Sequence, residues 1–440
     1  MANNPQKRRK YFTVLNSVGK RQSAFGTAMA DADLNRRHNC TITIEDVVDR
    51  ETVYDCEQQD IHEETKNSQL KRVTFNYASV TPQFILMWLA YFLSAAANPT
   101  GTAQNEIQTA TDANIDGGAA AVTFNFEGKT DTTAAVAWNA NAATWQAALE
   151  RLKSIGEGNV SVTGTLATGL AVTFQGDLTK ANVPLMTFGA GFTDGGSPIT
   201  PSFVQTQAGG NKYHALTRST NDDLAHFGVG TGYDSATAAD PDKMNDLTCE
   251  QIVITLNRRK NVTLQIVAIG SFETDDLVGF TVPDCENLPA LKGRDCRLKI
   301  DGDWITDDLW QATVTLNNNI PTGDDAFPFD DVNPSVLERG EKPTYSLSLQ
   351  VLGSKGDDLY TLCEDEEKVE IDLHLGKPGD RASVIFPATL MKFGSSRTQF
   401  VGELNRSAIV VDAMPHKDAT LKAPLRAEGY IDQTTAFLGT

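Results

Sequence analysis

The sequence predicts a mainly β fold (all-β/α+β): a β-sandwich body with one buried helix, interrupted by a small inserted domain of sheet plus helix. Three observations carry this expectation. Ten short segments outside residues 101–212 have the β-branched, alternating composition of strands. One segment, residues 81–97, joins a helix start signal to apolar residues on nearly every face. Composition also shifts at Gly101 and again near Lys212. The stretch between is rich in Ala, Gly and Thr, while all six cysteines and all six histidines lie outside it. Loop-like sequences flank that stretch, Asn98-Pro99-Thr100-Gly101 and Ala208-Gly209-Gly210-Asn211. A domain inserted into a surface loop explains the double shift better than domains in a row. The expected division is 1–100 with 213–440 for the body and 101–212 for the insert.

In the body, strands are expected at 40–44, 70–77, 251–256, 261–269, 297–300, 312–316, 344–352, 368–375, 383–390 and 408–411, with 258–261 as a hairpin tip. In the helical segment, Thr81 is the cap and Pro82 fits the first turn, where its missing N–H costs nothing. Phe84, Leu86, Trp88, Tyr91 and Phe92 then require burial all round, as core or against another subunit. In the insert, 120–127 alternates like a half-buried strand and 134–138 reads similarly. Asn141 caps a helix over 142–154 that presents Trp145, Leu149 and Leu152 on one face. A glycine-turned hairpin, 159–164 and 169–175, aligns Val160, Val162, Val172 and Phe174.

The chain has 440 residues, 38 Lys and Arg against 57 Asp and Glu, and a formal charge of −19. That balance disfavours tight phosphate binding, which depends on Lys and Arg displacing counter-ions. Cys40, Cys56, Cys249, Cys285, Cys296 and Cys363 form no CxxC pair, so reduced thiols are expected. Residues 11–18 are too short and polar for the apolar part of a leader. The longest apolar run, 84–93, is about half of what spans a bilayer. Synthesis in a cytoplasm is the expectation, with no membrane partner.

Chemistry-bearing motifs are missing. There is no GxSxG elbow and no phosphate loop ending in Lys-Ser/Thr; Gly228-Val-Gly-Thr-Gly232 reads as a flexible loop. The histidines show no HxH or HExxH spacing, and Cys56, Asp60 and His62 fit no closed zinc pattern. Asp301-Gly-Asp303 with Asp307 and Asp308 lacks the Gly and Glu of a helix-loop-helix calcium site and reads as solvated turn acids. The basic run Lys7–Lys10 reads as a solvated arm or a contact with an acidic neighbouring copy. No catalytic residue, cofactor or metal ligand is expected.

Two sets of residues carry a family resemblance. In the insert they are Asn105-Glu-Ile-Gln-Thr, Val122-Thr-Phe-Asn-Phe-Glu-Gly, Ala137-Trp-Asn-Ala-Asn-Ala-Ala-Thr-Trp-Gln-Ala-Ala-Leu-Glu, Gly156-Glu-Gly-Asn-Val-Ser-Val-Thr-Gly and Val172-Thr-Phe-Gln-Gly. Their order resembles a module that recurs in bacteriophage structural proteins. In the body they are Gly19-Lys-Arg-Gln-Ser-Ala-Phe-Gly-Thr, the apolar helix, the 249–272 hairpin and the strands of 369–390. These resemble the major tail tube proteins of long-tailed, siphovirus-like phages. Residues 301–342 match neither and are expected to decorate the outside.

The resemblance implies a virion protein whose six copies form a ring, their sheets joining into a β-barrel around the DNA channel. It implies stacking partners of the same chain, with tail terminator, baseplate and tape-measure proteins beyond. DNA would pass without specific binding along a lumen expected to be carboxylate-lined. A long loop would reach the next ring; the candidate is 45–69, with Glu45, Asp46, Asp49, Arg50, Glu51, Asp55 and Asp60. The insert would project outward. The alternatives are another virion component (capsid decoration, baseplate or sheath-associated subunit), or a carbohydrate-binding adhesive module resting on Trp138 and Trp145.

Overall fold

Alternation in the sequence becomes alternation in space. Along Leu309–Asn317, Ala312, Val314 and Leu316 are buried, whereas Thr313, Thr315 and Asn317 face away from the core. The computed structural model describes residues 10–15, 34–36, 40–54, 61–95, 98–218, 224–233, 242–270, 274–276, 289–305, 308–321, 337–340, 343–352, 354–403, 406–418 and 423–438. Among these, the strands are antiparallel and three α-helices occur: α1 (Pro82–Leu93), α2 (Ala142–Glu150) and α3 (Ser354–Glu364). The fold is mainly β.

The body is built twice from one plan. The first unit runs through Lys10–Leu15, Leu34–Arg36, Cys40–Tyr54, Ile61–Tyr77 and α1; after the insert come His226–Tyr233, Asp242–Asn257, Thr263–Gly270 and Thr274–Asp276. The second runs in the same order through Cys296–Ile300, Asp303–Ile305, Leu309–Asn317, Thr344–Leu352, α3, Lys368–Lys377, Asp380–Val401, Arg406–Pro415 and Arg426–Ile431. The pairings correspond. Each unit has a long late strand, Asp242–Asn257 or Asp380–Val401. An opening two-strand ribbon lies on the strand that precedes it. A hairpin follows the ribbon, and its second strand pairs with the strand after the long one. The long strand pairs there along its C-terminal part and has partners on both sides along its N-terminal part. Only Lys212–Thr217, which leaves the insert and pairs with Arg426–Ile431, has no counterpart in the plan.

The two units share an edge, where residues 251–257 pair with 317–311. This seam makes one eight-stranded sheet in the order Cys40–Tyr54, Ile61–Tyr77, Thr263–Gly270, Asp242–Asn257, Leu309–Asn317, Thr344–Leu352, Arg406–Pro415 and the C-terminal part of Asp380–Val401. A second layer runs from Asp303–Ile305 through Cys296–Ile300, Lys368–Lys377, the N-terminal part of Asp380–Val401 and Arg426–Ile431 to Lys212–Thr217.

Helix α1 packs against strands of both layers. Thr81 Oγ1 accepts from Phe84 N–H at 3.3 Å, Pro82 opens the helix, and Ser94 closes it in the left-handed region. Phe84, Leu86, Trp88, Tyr91 and Phe92 are buried within this chain. Trp88 meets Phe75 and Phe227 at ring centroids of 5.8 and 5.2 Å. Gly429 lets Leu86 approach the sheet, since a Cβ there would overlap its side chain. The C-terminal carbonyl of Phe92 accepts from Asn318 Nδ2 (3.1 Å) and Arg339 Nη2 (3.2 Å), and Asn318 Nδ2 also reaches the carbonyl of Cys249 at 3.0 Å. Asn318 therefore ties α1 of the first unit to the end of the seam strand of the second.

Several expectations change. Residues 45–69 are not a loop: the strands extend to Tyr54 and resume at Ile61, because the cross-strand register continues past the apolar part. Gly228–Gly232 lies in a strand, anchored by buried Phe227 and Val229. Segment 301–342 contains the seam strand. Helix α3 was not anticipated: Leu359 and Cys363, four residues apart, bury one stripe of an otherwise polar segment. The insert holds three small sheets rather than one, with α2 ending at Glu150. Lys10 begins a strand rather than ending a solvated arm; Cys56 and Cys285 lie outside the described residues.

Replacing Asn318 with Ala should leave buried carbonyls of Phe92 and Cys249 short of donors and lower stability by about 2–4 kcal/mol. A denaturant midpoint unchanged from wild type would contradict that role.

Candidate functional site

The sheet that crosses the seam has a core face and an opposite face, and the opposite face is nearly free of charge. Cross-strand registers arrange it in rows. One row is Thr41, Asn76, Gln265, Val253, Thr315 and Ser346. A second is Thr43, Thr74, Val267, Gln251, Asn317 and Thr344. A third, Thr263, Thr255, Thr313 and Ser348, ends on the opposed pair Asp412 and Lys392. Hydroxyls and amides dominate. Gln265 Nε2 donates to Asn76 Oδ1 at 2.9 Å, so the amides bind across strands. In a chain carrying −19, carboxylates are few on this surface, and Asp412 and Glu45 each stand opposite a cation, Lys392 and Arg72. At its rim, burial raises the Glu250 carboxyl pKa, opposed by Arg72, whose Nε stands 3.7 Å away.

The sheet ends in two edges. Among the described residues, Cys40–Tyr54 pairs on one side only, with Ile61–Tyr77. The C-terminal part of Asp380–Val401, residues 391–401, likewise pairs only with Arg406–Pro415. Open backbone N–H and C=O groups on a long strand invite pairing with another chain. Each edge strand also exposes a large apolar side chain: Val47 is 39% and Phe400 76% exposed.

Beyond Lys71, the hairpin leaves the sheet as a two-stranded ribbon. From Val47 to Tyr54 it extends about 26 Å at 3.3 Å per residue. Asp49, Arg50 and Glu51 lie on this ribbon, while Glu45 and Asp46 stand at its base in the sheet, in register with Arg72 and Lys71. Asp55 and Asp60 lie outside the described residues. An isolated two-stranded ribbon is marginal in water, so a neighbour to lie against is the physical requirement here.

The insert has a core of its own, centred on Trp145, Phe124 and Phe174, and leaves the body through a neck where Thr100 pairs with Tyr213 and Gln104 with Gly210. It also leans on the second layer. Glu127 stands 3.7 Å from Arg297 and 3.4 Å from Arg381, Lys180 pairs with Asp432, and Lys377 with Asp177. Gly379 passes so close to Thr179 that any Cβ would overlap its carbonyl oxygen. A cleft of about 610 Å³ remains between insert and body, lined in part by Trp304, Tyr213 and Tyr430. Trp145 belongs to the insert's core, and Trp138 packs partly buried against it, so neither forms an open aromatic platform.

Among the described residues, no three His, Cys, Asp or Glu side chains gather as a metal site, and no helix is long and apolar enough to cross a membrane. Cys40, Cys249, Cys296 and Cys363 are free thiols. Burial pushes Cys40 and Cys296 up to about 12 and Cys363 to about 11, so none supplies a thiolate nucleophile at neutral pH. No protein-family model matches the chain, and no curated protein matches its sequence.

Substituting Gly379 by Val should push the insert off the second layer while both cores stay folded. The check is a larger radius of gyration in solution scattering with an unchanged melting profile of the body; an unaltered radius would refute the contact.

Proposed function

We propose that the chain is a structural virion subunit whose copies join into rings, and whose rings stack into a phage tail tube that conducts DNA. The observation that supports it best is the eight-stranded sheet: both edges are open, one face is committed to a core, and the other is neutral and hydrophilic. A lone sheet of this kind leaves ladder groups unsatisfied, and closing it with further copies removes both edges at once. The committed face carries α1 and the second layer, so in a closed ring the neutral face turns to the axis. That replaces the expected carboxylate lining with hydroxyls and amides. Such a wall offers phosphates few cations to hold, Lys392 being opposed by Asp412, and water-filled hydroxyl rows let a duplex slide. The projecting ribbon with Asp49, Arg50 and Glu51, based on Glu45 and Asp46, reaches along the axis to the neighbouring ring. A head-to-tail contact of that kind does not close on itself, which is how a filament grows.

Negative-stain microscopy of the purified protein should show hollow tubes or rings. Monomers alone at high concentration, with and without a tail initiator, would overturn the proposal. Exchanging residues 101–212 for a short linker should leave tube formation intact, because the neck strands already lie side by side. A folded body that no longer assembles would contradict a peripheral insert. Converting Thr255 and Thr315 together to Lys should yield tubes that retain duplex DNA at low salt and release it as salt rises. Tubes indifferent to DNA would show that this face does not line the passage.

A further inference from the structure

We infer that one chain supplies two of the ring's repeating sheet units, so that a ring holds three chains, each joined to the next by a copy of the chain's own internal seam. The inference deepens the proposed function and rests on it.

The internal seam shows what a unit-to-unit junction looks like. There the long strand of the first unit, Asp242–Asn257, pairs antiparallel with the first hairpin strand of the second unit, Leu309–Asn317. By the correspondence of the two units, the equivalents are Asp380–Val401 and Cys40–Tyr54. Cys40–Tyr54 and residues 391–401 of the other strand end the eight-stranded sheet without a second partner among the described residues. The open edges are therefore the two halves of the same junction, one at each end of the molecule. A second copy presenting Cys40–Tyr54 to residues 391–401 of the first repeats the seam and leaves the same two edges open again. That propagates until the ring closes. The side chains agree, since Phe400 and Val47, two of the large apolar residues left most open to solvent, stand on these strands.

Strand count then limits the number of chains. Neighbouring strands lie about 4.8 Å apart and barrel strands tilt by about 40°. Two chains give sixteen strands and a barrel about 32 Å across its backbone, about 22 Å after both walls of side chains. A duplex about 20 Å across, with its water and counter-ions, does not pass. Three chains give twenty-four strands, about 48 Å between backbones and about 38 Å open, which admits a hydrated duplex. Six chains give about 96 Å, far more than DNA needs. The six-copy ring implied by the family resemblance thus becomes six units from three chains.

The test is native mass spectrometry of rings, with cryo-microscopy of tubes. The expected ring mass is about 143 kDa, three times 47.7 kDa, with threefold symmetry and a near-sixfold lumen wall. Rings of six chains would overturn this inference while leaving the tube proposal standing; absence of any ring or tube would overturn both. Hydrogen exchange on wild-type protein locates the junction. Amides of 40–45 and 398–401 should gain at least tenfold protection on assembly, whereas 311–317 should be protected before and after. Equal exchange of 40–45 and 398–401 in free and assembled protein would refute the seam. Phe400→Glu, at a side chain that touches little of the core, should keep the monomer's melting profile and abolish rings; wild-type rings from that variant would also refute it.

Discussion

The edge-to-edge pairing of residues 251–257 with 317–311 is the constraint on which the rest of the body depends. Without it, each unit is a four-stranded sheet with two open edges and an apolar face that its own helix only partly covers. With it, the interior rows Ile252, Ile254, Val314 and Leu316 form one continuous core floor. Asn318 sits where that floor ends. It binds α1 of the first unit to the turn leaving the seam strand, so helix placement and strand register are fixed together.

Duplication also lets the units diverge. α1 is buried on every face because the second layer, completed by Lys212–Thr217 and Arg426–Ile431, closes over it. α3 packs on strands of its own unit, Thr344–Leu352, Asp380–Val401 and Arg406–Pro415, and its sequence is largely polar. One helix therefore carries Trp88, Tyr91 and Phe92, while its counterpart carries a stripe of Leu359 and Cys363. The extra strand Lys212–Thr217 is the return path from the insert, so the domain that interrupts the first unit also supplies the cover for its helix.

Much of the body was legible because strand periodicity is local. The segment 344–352 coincides with its strand, and 70–77 and 251–256 fall inside theirs. The α1 cap and its proline were equally plain. What escaped was long-range. Residues 45–54 and 61–69 are mostly polar and lack a regular apolar alternation, a pattern that reads as a loop. The second unit's helix lost its apolar signature because little of it is buried. The duplication itself left no repeat to see: corresponding segments share pairings but not residues, and an insert of 112 residues lies inside one copy only. The absence of charge from one sheet face was hidden for the same reason, since Thr41, Asn76, Gln265, Val253, Thr315 and Ser346 are neighbours only once the registers are known.

That neutral face clarifies the chain's acidity. A surplus of 19 negative charges restrains an edge-exposing protein from pairing indiscriminately, because copies repel at distance and only short-range ladder bonds overcome the repulsion. In the proposed ring, carboxylates on the sheet face would oppose closure, since every copy's face would look across the axis at the others. Hydroxyl and amide rows would avoid that penalty and still hold water. Under that proposal the same chain is acidic where copies keep apart and neutral where they converge. The base of the ribbon, with Glu45 in register with Arg72 and Asp46 with Lys71, carries both signs, which in the proposed tube would give complementary contacts between successive rings.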